Sequence, residues 1–193
     1  MSANKIRLVT EALRDLIAAS GVGLSDIHIG PLDDTLAESA RLVLFLYRAS
    51  VNSELRNAGH RIVPPNPADP IVVHERAIPF DLHFLLTTSP SGEGVDTDGL
   101  ADLGLAIQAI NDAPDLVDPM LGGDVVRLSF EAMPTEEMGR IWSLFPAANY
   151  RISVVILATP VWIDPRLPTA PAHPVISEDY RTSHRAQGAG NGF

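Results

Sequence analysis

The chain has no cysteine and a single lysine, Lys5. Without cysteine there are no disulfides, thiolate zinc sites or cysteine nucleophiles, and a reducing cytoplasm fits such a chain. No apolar run approaches the ~20 residues needed to cross a bilayer. The first sixteen residues, MSANKIRLVTEALRDL, carry charges where a signal peptide would be apolar, so no export signal is read. Basic residues are absent from Ala77 to Val126, where nine acids fall: Asp81, Glu93, Asp96, Asp98, Asp102, Asp112, Asp115, Asp118 and Asp124. The net charge of −10 is carried largely by that stretch. Nucleic-acid binding draws most of its affinity from basic contacts to phosphate, so this charge argues against such a partner. The acidic stretch reads either as a solvated face or as a docking surface for a basic partner, with Asp96, Asp98 and Asp102 at its centre.

What is present is the material of a globular protein. Of 193 residues, 46% are hydrophobic, enough for one domain with a proper core. Residues 3–19 show helical spacing at Ile6, Val9, Leu13, Leu16 and Ile17, with Lys5, Arg7, Glu11, Arg14 and Asp15 elsewhere on the wheel and Gly21 and Gly23 beyond the end. LVLFLYRA (42–49) starts apolar on both faces, as a central strand should. NSELRNA (52–58) reads as a turn of helix. Pro64, Pro65, Pro67 and Pro70 mark a loop, because proline lacks the N–H that a sheet needs.

Residues 71–88 read as extended. In PFDLHFLL (79–86), Phe80, Leu82, Phe84 and Leu86 alternate with Asp81, His83, Leu85 and then Thr87. An acidic loop, SPSGEGVDTDG, leads to a helix over 98–112 with a stripe of Leu100, Leu103, Ile107 and Ile110. A strand follows over 124–132. A helix starts near Thr135, with Glu136 and Glu137 at its positive end and Met138, Ile141, Trp142 and Phe145 as its stripe. The last strand spans 149–163. This order predicts an α+β fold, a single domain with a mainly antiparallel sheet and helices packed on one face. Residues 166–193, rich in Pro, Gly and Ala, are expected to form an extended or disordered tail after a domain of residues 1–165.

Asp81 and His83 are the only polar side chains in PFDLHFLL. A metal needs three or four convergent ligands, and a strand face supplies two. No Gly-x-Ser-x-Gly occurs, and SGVGLS and LGGD lack the spacing of a phosphate-binding loop. The pair therefore reads as strand architecture or a subunit contact; a small hydrolase using both residues would lack its third group. Trp162, after Pro160, fits either the core or an exposed anchor for a partner. Nothing calls for a cofactor or a metal.

Four stretches together carry a resemblance: LFLYRASVNSELRN (44–57), PFDLHFLLT (79–87), LGLAIQAIND (103–112) and LSFEAMPTEEMGRIWSLFPAANYRISVVILATPVWID (128–164). In this order and spacing they resemble the N-terminal domain of the cap, or tail-terminator, proteins of extracellular contractile injection systems. The resemblance covers most of residues 3–165. It implies a structural protein without catalytic residues. It implies a homo-oligomeric ring, by analogy a hexamer, on the end of the inner tube and sheath distal to the baseplate, where it stops polymerisation and fixes length. Partners would be the terminal sheath and tube subunits. Assembly would be cytoplasmic, with release in an extracellular particle left open. An adaptor between tube and baseplate is the alternative. The expected contacts are the acidic stretch, the proline loop with Pro64, Pro65 and Pro67, Trp162, and the tail from Pro165.

Overall fold

A computed structural model of the chain describes residues 2–63, 66, 71–89, 97–117 and 121–167. The first helix, α1 (Lys5–Ala18), buries Val9, Leu13 and Ile17 completely, because a spacing of four keeps them on one side of the helix. It ends before Gly21, whose φ of +107° suits a residue without a Cβ. A three-residue strand, β1 (Ile27–Ile29), then runs parallel to β2 (Leu42–Val51). Asp34 caps the intervening 3-10 turn by accepting a 2.9 Å hydrogen bond from the Leu36 amide.

Next come β3 (His60–Ile62) and β4 (Val72–His74), which among the described residues pair with each other and not with the main sheet, then β5 (Ile78–Thr88) and α2 (Thr97–Asp112). The chain closes with β6 (Asp115–Val117), β7 (Val125–Glu131), α3 (Thr135–Trp142) and β8 (Ser153–Ile163). Among the described residues, six strands form the main sheet in the order β1-β2-β5-β8-β7-β6. Every pairing in it except β1 with β2 is antiparallel. The expected α+β class and mainly antiparallel sheet are therefore what the chain forms.

The helices divide between the two faces of the sheet, rather than sharing one. On the first face Leu42, Leu44, Leu82, Phe84, Leu86, Ile156 and Ala158 pack against α1 and α2. On the second, Val43, Leu85 and Val155 pack against Met138 and Trp142 of α3. Leu85 and Thr87, read as pointing outward with Asp81 and His83, are fully buried for that reason. Burying each large apolar side chain contributes about 1.5–3 kcal/mol, so the central strands β5 and β8, buried on both faces, anchor the fold.

Local corrections have local causes. NSELRNA is a set of turns, not helix: the Asn52 side chain accepts hydrogen bonds from the amides of Glu54 (3.1 Å) and Leu55 (3.0 Å), offering the backbone an alternative to a helix. Phe145 lies past the end of α3, brought back by a turn to meet Phe45 edge-on at 5.4 Å. The last strand starts at Ser153, because Arg151 before it is engaged with the carbonyls of Thr88 and Leu32. Burial lowers the pKa of that guanidinium. The expected proline loop at 64–70, apart from Asn66, lies outside the described residues, as do most of the acidic loop and the tail beyond 167.

Candidate functional site

The second sheet face is only partly roofed by α3. Farther along the same strands it carries polar side chains, with Arg48 opposite His83 and Ser50 opposite Asp81. Asp81 Oδ1 accepts a 2.9 Å hydrogen bond from Asn52 Nδ2 and a second from the Thr159 hydroxyl. His83, 8% exposed, pairs through Nδ1 with Glu131 at 2.8 Å and lies beside the Tyr47 ring. Burial, together with the charges of Glu131 and Glu137, pushes the Tyr47 phenol up to about 12, so it stays neutral.

Asp81 and His83 thus share a face but serve different partners. Among the described residues the imidazole is paired with Glu131 and not with a hydroxyl. Asp81 bridges β5 to β8 and, through Asn52, fixes the turn after β2. Replacing Asp81 with alanine leaves the Asn52 and Thr159 donors without their acceptor, at an expected cost of about 1–3 kcal/mol. A shifted urea midpoint with unchanged slope would record it.

A second polar cluster was not foreseen. Lys5 is 6% exposed and its ammonium meets Asp124 Oδ2 at 2.5 Å. The other oxygen of Asp124 lies 2.9 Å from His60 Nε2, and His60 Nδ1 lies 2.6 Å from Asp164. The Trp162 ring stacks on His60, with centroids 5.0 Å and planes 6° apart. LGGD finds its purpose here: Gly122 and Gly123, at φ +75° and +87°, turn the chain so that Asp124 reaches this point. Lys5, read as lying off the apolar stripe, in fact stands four residues before Val9 on the buried side of α1, a signal that its spacing carried. The carboxylates had none, lying 64 and 104 residues from His60 in sequence.

Charge follows this geometry. Burial alone would lower the pKa of His60, but hydrogen bonds to Asp124 and Asp164, and their charges, raise it above the ordinary histidine value. For Asp124, burial acts upward, yet hydrogen bonds from His60 and Lys5 bring it below the usual carboxylate range. Two carboxylates and an imidazole in contact are not a metal site, because the ring separates the carboxylates rather than converging with them. Among the described residues no group of three His, Asp or Glu side chains is placed to hold a metal.

The anticipated contact residues are scattered. Asp98 is exposed in the first turn of α2. Asp102 is not available to a docking partner: it is 3% exposed, on the side of α2 that carries Leu103 and Ala106, and Arg41 binds it at 2.7 Å. Trp162 and Pro165 are half-buried beside the His60 cluster and just past the end of β8. Asp96, Pro64, Pro65 and Pro67 lie outside the described residues.

The class defined so far is an α+β scaffold whose described polar clusters brace the fold. The chain belongs to the Pvc16 N-terminal domain family, which it matches over residues 8–177. That span runs past residue 165, so part of the segment read as a tail lies within the family domain. The fold is similar to that of the anti-feeding prophage cap, a tube-terminating cap, with a TM-score of 0.60 at 18% identity over 90% of this chain and 60% of that one. It is also similar to the PVC sheath/tube terminator of an extracellular contractile injection system in its extended state, with a TM-score of 0.53 at 15% identity over 92% of this chain and 64% of that one. The chain thus spans less than two thirds of each of these structures. No curated protein sequence matches it.

Proposed function

We propose that this chain is a structural cap, or tail terminator, of a contractile injection system. The observation that carries the reading is the family match over 8–177, joined to a fold shared with two terminator structures. It acts as a homo-oligomeric ring, a hexamer by analogy, on the last layer of inner tube and sheath, and it has no enzymatic activity. A growing tube or sheath presents the same surface after every layer; a terminator matches that surface on one side and offers no copy of it on the other. The domain of residues 1–165 forms the ring body, and the segment after it reaches for the sheath. Contacts fall on exposed Asp98, on Trp162 and Pro165 at the end of β8, and on the loop with Pro64, Pro65 and Pro67, where an extended segment can add to a neighbour's sheet edge. The ring assembles in the cytoplasm and leaves with the particle when the particle is released. No described helix is long and apolar enough to cross a membrane.

The test is the length distribution of particles, by negative-stain electron microscopy, from cells with and without the gene. Loss of uniform length, or tubes and sheaths that run on or fall apart, is the expected result. Uniform, intact particles without the protein would reject the cap role.

A further inference from the structure

We propose that His60 is a proton-dependent latch that holds the β3–β4 hairpin and the exit of the chain from β8 against the start of α1 and the start of β7. The argument is geometric. His60 is 5% exposed, and both of its ring nitrogens face carboxylate oxygens, Asp164 at 2.6 Å and Asp124 at 2.9 Å. A neutral imidazole has one N–H and one lone pair, so in that state one contact would set a lone pair against a carboxylate. Only the imidazolium donates at both ends. With it in place, charges alternate along the chain of contacts: Lys5 positive, Asp124 negative, His60 positive, Asp164 negative.

The groups around the ring agree with this assignment. Lys5 of α1 meets the far oxygen of Asp124, and Trp162 of β8 offers its π face to a cation. His74 of β4 stacks at 6.2 Å. Arg61, the next residue of β3, and Glu75 and Arg76, in the turn after β4, are exposed to water. A raised His60 pKa is the thermodynamic counterpart of the geometry.

Loss of one proton from His60 to solvent removes the positive charge that lies between Asp124 and Asp164. The contact that fails is at Nδ1 or Nε2, and each ties a different element. Among the described residues β3 and β4 pair with each other and not with the main sheet, and a two-stranded hairpin is at best marginally stable alone, so the His60 contacts help to dock it. Asp164 follows the last residue of β8, so weakening its contact with His60 loosens one restraint on the exit of the chain. The sign is fixed: a folded-state pKa above the unfolded value gives a contribution that is complete below about pH 6.5 and lost as pH rises through the folded value. If the cap reading holds, the hairpin and exit are the segments assigned to partners, so docking weakens at alkaline pH; the latch itself does not rest on that reading.

The experiment is long-range nitrogen–proton NMR of the histidine rings in the full chain, with His60→Gln to assign the signal. Hydrogen exchange of residues 60–62, 72–74 and 163–167 is followed in parallel from pH 6 to 9, corrected for intrinsic rates. We expect both His60 nitrogens to be protonated at pH 6, a midpoint above that of free histidine, and loss of protection in those segments across the same midpoint. Asp164→Asn should move the midpoint down while leaving the domain folded, which keeps the test usable if His60→Gln does not fold. A neutral His60 at pH 6, or protection that does not change across its titration, would overturn the latch.

Discussion

Asp124→Ala is expected to destabilise the domain by about 3–5 kcal/mol, the cost of breaking a buried ion pair by removing one partner. Its carboxylate is the joint between Lys5 and His60, and all three side chains are almost wholly buried. Without it, the buried Lys5 ammonium loses its carboxylate, and His60 is left with Asp164. A control sharpens the test. Asp115 pairs with Arg127 at 3.1 Å, but both side chains are largely exposed. Asp115→Ala should cost no more than about 1 kcal/mol, as exposed pairs do. Urea denaturation of both variants at pH 6 measures the difference. Equal, small effects would mean that the Lys5–Asp124–His60 chain of contacts adds little to the fold.

Phe84→Ala is expected to cost a similar amount, about 3–5 kcal/mol, for a different reason. Phe84 is fully buried in β5, with Leu46 opposite it on one side and Ile156 on the other. The neighbours belong to strands held by hydrogen bonds, so the gap cannot close by collapse. A domain of this size is stable by only about 5–15 kcal/mol, so either substitution removes a large share. Thermal denaturation followed by circular dichroism reads it directly. A loss below about 1 kcal/mol would mean that the core repacks around the missing ring.

Much of this was open to a reader of the sequence. Val9, Leu13 and Ile17 of the α1 stripe are fully buried, with Ile6 and Leu16 partly so, and the alternation of Phe80, Leu82, Phe84 and Leu86 places the main core on one face of β5. The apolar start of β2 correctly announced burial on both faces. What the reading missed is which face each helix takes. Helical periodicity says which side of α3 is apolar, yet Met138 and Trp142 would look the same over either face. Leu85, standing among the polar positions of β5, was a further hint of a second core. The short strands β1, β3 and β6 have three residues each, too few for a period of two to declare itself. Asp102 looked like a companion of Asp98 one turn earlier. Its fate was set by Arg41, 61 residues away, and nothing local records that pairing. The same holds for the His60 cluster, assembled from four parts of the chain.

The main sheet is broad in the middle and brief at its rims. Among the described residues its two outermost strands, β1 and β6, offer three residues apiece, while β5 and β8 run for eleven. A long bare rim is a template on which further strands condense, the route by which sheets stack without limit into fibrils. A rim of three residues supplies too few main-chain hydrogen bonds to hold a newcomer by backbone alone, so lasting attachment there needs matching side chains. If the cap reading holds, such clipped margins suit a molecule that ends one polymer without seeding another.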